Sequence, residues 1–229
     1  MPNVLIVPGD GFKQVESMFK SEGWDIVYDM NEADLVQFVG GADVSPSLYG
    51  QRTHPTTQPN AGRDDREVVL YNQALALGIP MAGICRGGQF LNVMNGGSMH
   101  QHVDNHDRGS HLAYLTGASL PITVTSTHHQ MMEPNWEDAT VLMSAKESTF
   151  KRRMSNLDSA TNVEYVINMN SSSATYGDVE AVYYEGTHSL CFQAHPEYSG
   201  AKDTKEVYFI FLENYCFGAL EAQLQSAKA

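Results

Sequence analysis

The chain is poor in positive charge: 14 Lys and Arg stand against 27 Asp and Glu, a formal net charge of −13. Nucleic-acid binders concentrate positive charge on one face, so this balance argues against a phosphate backbone as partner. The basic run Lys151-Arg152-Arg153 is too short to reverse it and reads as a solvated loop or helix face. Long apolar runs are missing as well. Nothing approaches the roughly 20 residues needed to span a bilayer, and the opening MPNVLIVPGDGF offers only Val4 to Val7 before a Pro-Gly turn, with no basic leader, so it reads as a first strand and not as a signal peptide. Cysteine is scarce. Cys85, Cys191 and Cys216 cannot all pair within one chain and show no CxxC spacing, and free thiols suit a reducing compartment; a soluble, cytoplasmic protein is expected. No internal repeat, low-complexity tract or linker divides the chain, so residues 1–229 are read as one domain.

What is present has a clear rhythm. NVLIVPGDG reads as a buried strand broken by a turn, and GFKQVESMFKSEG as a helix with Val15, Met18 and Phe19 on one face, stopping at Gly23. WDIVYDM and ADLVQFVGGADV give two more strands, and a polar loop rich in Pro, Thr and Gln runs from Ser45 to about Gly62. DDREVVLYNQALALG is a second helix, with acids in its first turn suiting the helix dipole and Leu70, Ala74 and Leu77 sharing a face. IPMAGI is a short strand, and RGGQFLNVMNGG a helix ended by Asn95-Gly96-Gly97. Alternating strands and helices predict a parallel sheet covered on both faces, with its chemistry in loops at the carboxyl ends of strands. The second half is richer in strands: LPITVTST, ATVLMSA, VEYVINM, VEAVYYEG and SLCFQA. TKEVYFIFLENYCF closes the chain as a helix. The Ser- and Asn-rich stretch from about 148 to 178 reads as a surface excursion.

Two of those loops carry the chemistry. Gly83-Ile84-Cys85-Arg86-Gly87 has the G-x-nucleophile-x-G form of an elbow between strand and helix. Its glycines permit the strained bend, the helix start favours a thiolate over a thiol, and the Arg86 N–H is placed to meet an oxyanion. The pentapeptide alone divides evenly between this reading and a packed core cysteine. Of the nine histidines, the most informative is in SLCFQAHPEYS, where a strand ends and His195, Pro196 and Glu197 follow. Proline fixes the backbone between them, so Glu197 can accept the imidazole N–H and aim the other nitrogen at Cys85. The tripeptide is weak alone and strong together with the elbow.

GICRGGQFLNVMNGGSMHQH, followed at a distance by HPE, resembles the class I glutamine amidotransferase-like family, and within it the gamma-glutamyl hydrolase branch. GGADVSPSLYG, RDDREVVLYNQALALGIPMAGICRG, STHHQMMEP and DVEAV agree in the same order, over about residues 36–200. The resemblance implies a flavodoxin-like three-layer α/β sandwich with a mostly parallel central sheet and a β-rich second half. It implies Cys85 as nucleophile, His195 as base and then acid, and Glu197 as orienter. Gly40 and Gly41 would give the second oxyanion donor beside the Arg86 amide, and Gln89, His129 and Gln130 would line the substrate pocket. Arg86-Gly87-Gly88 carries one glycine more than the family pattern, which would loosen the helix start or widen the pocket.

The expected activity is hydrolysis of a gamma-glutamyl amide bond, of glutamine or a small gamma-glutamyl conjugate, through a glutamyl thioester and without a cofactor. A glutaminase subunit that passes ammonia to a separate synthetase or ligase is the alternative. An inactive binding module is the third reading, against which all three triad residues are present. A metal site is weighed because His100, His102, His106, His111, His128 and His129 crowd into 30 residues; with no H-E-x-x-H spacing, no metal is expected.

Overall fold

The computed structural model describes residues 1–103, 106–107, 109–145 and 177–218, together with the backbone of 153–155 and 165–167. Lys151 and Arg152 of the basic run, and most of the 148–178 stretch, lie outside the described residues. The elements run β1 (Asn3–Ile6), α1 (Phe12–Ser21), β2 (Asp25–Val27), β3 (Leu35–Phe38), α2 (Ala61–Leu77), β4 (Met81–Ile84), α3 (Arg86–Met94), β5 (Ser98–His100), β6 (His102–Val103), β7 (Ser110–Leu115), β8 (Ile122–Thr125), β9 (Met131–Glu133), β10 (Ala139–Ala145), β11 (Arg153–Ser155), β12 (Tyr165–Ile167), β13 (Asp178–Tyr184), β14 (Ser189–Phe192) and α4 (Lys202–Phe211).

Nine strands form the central sheet in the order β2-β1-β3-β4-β14-β13-β10-β7-β8. The first five pair in parallel; from β14 onward every pairing is antiparallel. This follows from the connections. The parallel strands are joined through helices or long crossovers, whereas β13 and β14 are separated by a single short turn that can only reverse the chain. Buried side chains divide by sheet face. Val4, Ile6 and Leu35 pack with Val15, Met18 and Phe19 of α1 and with Val207, Tyr208 and Phe211 of α4. Leu5, Val36 and Phe38 pack on the other face with Tyr71 and Ala74 of α2 and Phe90 and Leu91 of α3. That is the three-layer sandwich, and period-two alternation along β1 and β3 builds it. No helix among the described residues is long and apolar enough to cross a membrane.

Helix α2 departs from the sequence expectation. It starts at Ala61, capped by the Asn60 side chain on the Arg63 N–H. Its buried residues are Arg63, Asp64, Glu67, Tyr71 and Ala74, while Leu77 is 53% exposed. Ala74 is in the core and Leu70 packs against it, but Leu77 lies outside the packing face, and the amino-terminal half of the helix buries charge instead of hydrocarbon. Strands β5, β7 and β9 were not legible, their sequences SMH, SHLAYL and MME being too short or too mixed to show alternation.

Helix α3 meets the sheet at van der Waals contact, and glycine makes this approach possible. A Cβ on Gly83 would lie 2.3 Å from the Gly87 carbonyl group; one on Gly87 would lie 2.5 Å from Phe38 O, and one on Gly88 2.7 Å from Phe192 N. The first turn of α3 is thus wedged between the ends of β3 and β14. Gly88 neither loosens the helix nor widens a pocket; it seats the helix on β14. Gly83→Ala should therefore lower unfolding free energy by about 3 kcal/mol, read from the urea midpoint. Gly186→Ala, where nothing lies within 4 Å of the added carbon, should change it by less than about 0.5 kcal/mol.

Candidate active site

The carboxyl ends of three neighbouring parallel strands supply the site: Gly40-Gly41 after β3, Cys85 after β4 and His195 after β14. Cys85 has φ 51° and ψ −113°, a strained geometry that a non-glycine residue holds only when its surroundings enforce it. The enforcement is visible: its N–H donates to Phe192 O at 2.7 Å, and its C=O accepts from Gln89 N at 2.9 Å in the first turn of α3. The residue is buried, with 8% of its surface exposed.

His195 reaches the same point from β14. Its N–H donates to Thr125 Oγ1 at 2.7 Å, its ring stacks on Tyr198 with centroids 4.3 Å apart, and its Nδ1 is 2.7 Å from Glu197 Oε1. Glu197 is itself buried, so a proton on Nδ1 is held toward the carboxylate. A Cβ on Gly40 would stand 3.2 Å from His195 Cε1 and 3.9 Å from Cys85 Cβ, which places all three residues around one small volume. Burial alone would lower the imidazole pKa. The charge of the Cys85 thiolate and the hydrogen bond to it outweigh that, and Glu197 adds to them, so the His195 pKa is pushed up to about 11. The other two thiols lie sealed in the core, and burial raises both their pKa values.

The buried charges of α2 hold the glycine loop after β3. Arg63 donates to Gly40 O at 2.8 Å and Val39 O at 2.7 Å. In a trans peptide the N–H points opposite to the preceding C=O, so fixing Gly40 O away from the site turns the Gly41 N–H toward it. Gly41 has φ 130°, and a Cβ there would lie 2.4 Å from Asp10 Oδ2 and 2.5 Å from the Arg63 guanidinium; only glycine fits. Glu67 bridges Arg63 and Arg86, and Arg86 also pairs with Asp64 and donates to Ala42 O at 3.1 Å. The Arg86 side chain is thus committed to the scaffold, leaving its backbone amide, the first of α3, as the part that can face a ligand.

Cys85 lies between two cavities. One, of about 320 Å³, is lined by Gly41, Asp43, Arg86, Gln89, His129 and Gln130. The other, of about 380 Å³, is lined by Asp10, Gln14, Thr127, His195, Glu197 and Tyr198. The expected pocket residues Gln89, His129 and Gln130 do line the first, but with different freedom. Gln89 donates to Gln130 O at 3.1 Å and Gln193 Oε1 at 3.3 Å. The Gln130 side chain is turned away onto Thr57 and Gln101, so its main chain forms the wall. His129 is half-exposed and its Nε2 is 3.1 Å from Asp43 Oδ1; that hydrogen bond raises its pKa against the opposing effect of burial. Sequence reasoning missed Asp43, Gln193 and the Arg63–Glu67–Arg86–Asp64 network. Asp43 stands in the GGADV segment already singled out, and Arg63, Asp64 and Glu67 stand where charge interrupts the apolar face of a helix.

With this geometry in view, comparisons with known proteins agree. Residues 18–197 match the family model described as peptidase C26. A candidate glutamine amidotransferase-like protein of Lactococcus lactis is 30% identical over 184 residues, covering 78% of this chain and 72% of that one. The gamma-glutamyl-gamma-aminobutyrate hydrolase of Escherichia coli is 43% identical over 63 residues, covering 27% of this chain and 24% of the enzyme. With several other curated relatives the shared segment is a minor part of their length, down to 21% for a candidate glutamine amidotransferase of Mycobacterium tuberculosis. Among solved structures, a candidate GMP synthase component from Thermoplasma acidophilum aligns over 100% of this chain and 98% of its own, with a TM-score of 0.61 at 17% identity. A glutamine amidotransferase from Thermotoga maritima aligns over 93% and 84%, with a TM-score of 0.57 at 17% identity. These two likenesses are of fold.

One titration tests the pair. The His195 imidazole should stay protonated well above the ordinary 6.5 when followed by NMR, and its pKa should fall on Cys85→Ala, which removes the larger of the raising influences. A pKa near 6.5 in both proteins would contradict the coupling of His195 to Cys85. The chain belongs to the peptidase C26 family.

Proposed function

We propose that the protein hydrolyses gamma-glutamyl amides through a gamma-glutamyl thioester on Cys85. The observation that carries this reading is the strained Cys85 turn facing the His195–Glu197 pair. Family membership and the segment shared with the Escherichia coli gamma-glutamyl-gamma-aminobutyrate hydrolase support it.

The steps follow from the geometry. The thiol proton passes to His195, and Glu197 stabilises the imidazolium through Nδ1. The thiolate attacks the gamma-carbonyl carbon, and the oxyanion forms against the amides of Gly41 and Arg86, which are fixed before the reaction begins. His195 protonates the departing nitrogen, which leaves on the side of the 380 Å³ cavity. The glutamyl part remains in the 320 Å³ cavity, a volume within the range of small-molecule sites. There Asp43 can face an α-ammonium group and His129 an α-carboxylate, so the pair reads both charges of an amino acid. Water then attacks the thioester with His195 as base, releasing glutamate.

The second reading, a glutaminase subunit serving a separate synthetase, draws on fold neighbours: the PurLQS structure from Thermotoga maritima and the candidate GMP synthase component. Those likenesses are of fold at low identity, whereas the hydrolase is a match in sequence, so hydrolysis by the chain alone is the favoured reading.

Glutamine and several gamma-glutamyl amides, supplied with and without cell extract, separate the two by released glutamate. Turnover of a conjugate by the protein alone is the expected result; glutamine turnover that appears only with extract would favour the glutaminase reading, and no turnover of any amide would sink the hydrolase. Cys85→Ala should lower kcat by about 10⁴-fold or more, and Glu197→Ala roughly 100-fold less severely. Activity surviving in Cys85→Ala would refute the scheme.

A further inference from the structure

Beside the active site lies a second cluster that the mechanism does not use. Glu180, on β13, is fully buried. Its Oε1 is 2.8 Å from His111 Nε2 on β7 and 3.9 Å from His106 Nδ1, and its Oε2, also buried, has no hydrogen-bond partner among the described residues. The ring of His106 packs against those of His111 and His128, with centroids 4.6 and 4.8 Å apart. His128 Nδ1 lies 2.8 Å from Gln130 O. A carbonyl only accepts, so His128 Nδ1 carries the proton; its Nε2 is 3.2 Å from His106 Nδ1, which also lies 3.1 Å from Ser126 Oγ. A second buried carboxylate, Asp178, places Oδ2 3.6 Å from His106 Nε2.

Two buried carboxylates and three imidazoles thus share one place, and a buried charge must be paired or bound to a metal. The hydrogen bond from His111 answers one oxygen of Glu180 and leaves the other unanswered. We propose that His106, His111 and Glu180 bind a divalent transition-metal ion such as Zn²⁺. One donor atom from each lies within 4.8 Å of the others. Around a tetrahedral ion with bonds of about 2.1 Å, donors stand about 3.4 Å apart, so a closure of up to about 1.4 Å completes the site. Two imidazoles and one carboxylate form a donor set that suits zinc, and a bidentate Glu180 gives its second oxygen a partner. His111 is the member nearest the surface and gives the ion its way in. The expectation of no metal rested on a local H-E-x-x-H pattern; here two histidines five residues apart meet a carboxylate from β13, which only the fold brings to them.

The ion would brace the active site without entering its chemistry. The Glu180 carbonyl accepts the Gln193 N–H at 2.8 Å, and Gln193 Nε2 lies 3.9 Å from Cys85 Sγ. His128 holds the Gln130 carbonyl that also receives Gln89.

The test uses the full chain, free of any affinity tag, with Cys85→Ala so that the catalytic thiol captures no ion. After treatment with a chelator, the protein is equilibrated with Zn²⁺, and bound metal is measured by elemental analysis; Co²⁺ serves as the spectroscopic probe. The expected result is one ion per chain and a visible Co²⁺ absorption band. Both should be lost in His111→Gln and in Glu180→Gln, and kept in His129→Gln. Circular dichroism confirms folding, and should Glu180→Gln not fold, His111→Gln, at the less deeply buried member, decides. No stoichiometric ion, or binding unchanged by His111→Gln, would overturn the proposal. Because metal content is read directly, this failure is separate from a failure of the hydrolase reading, which shows only in turnover.

Discussion

The site depends on the clearance between β4 and α3. Three glycines let the first turn of the helix touch the backbone of β3, β4 and β14, and that contact forces the intervening residue, Cys85, to a φ of 51°. A longer, relaxed connection would let the cysteine turn inward, as Cys191 and Cys216 do. At the strained turn the sulfur is instead presented at the sheet's carboxyl edge, where β14 delivers His195 from 110 positions later in the chain. Strain at the turn is offset by packing elsewhere, which is how such geometries persist at functional sites.

The buried charges of α2, together with Arg86 of α3, are the second constraint. Replacing them with well-packed hydrocarbon would be at least as stabilising in general, so stability alone does not explain Arg63, Glu67, Arg86 and Asp64. Their contacts do. Arg63 holds the carbonyl whose reversal aims the Gly41 amide, and Arg86 ties the start of α3 to the Ala42 carbonyl of the loop after β3. One network therefore sets the Gly41 and Arg86 amides relative to each other, and its cost in desolvation is visible in the Arg86 pKa, which burial and the neighbouring Arg63 push down to about 9.

Much of this was legible in the sequence, and what was not has physical reasons. Strands β1, β3, β4 and β14 are short apolar runs bounded by turns, and α1 shows Val15, Met18 and Phe19 at helical spacing, so the parallel half could be read. The elbow glycines and His195-Pro196-Glu197 carry local signals. By contrast, the face of α2 misled because buried arginines and carboxylates look like solvent-exposed charge in a sequence. Asp43, Gln193 and Glu180 carry no local pattern, since each acts through a partner from a distant segment; the crowd of histidines holding His106 and His111 was visible, but not the carboxylate it meets. Gln130 was placed at the right wall, but no sequence signal tells that its side chain faces Thr57 and not the cavity.

The Cys85 turn sets this thiol apart from Cys191 and Cys216 by geometry. The direct measurement is to treat the native protein with a diazoketone analogue of glutamine and map the adduct by peptide mass spectrometry. The account predicts a single modification on Cys85, with Cys191 and Cys216 untouched and labelling suppressed in His195→Ala. Labelling spread over all three cysteines, or undiminished without His195, would contradict it.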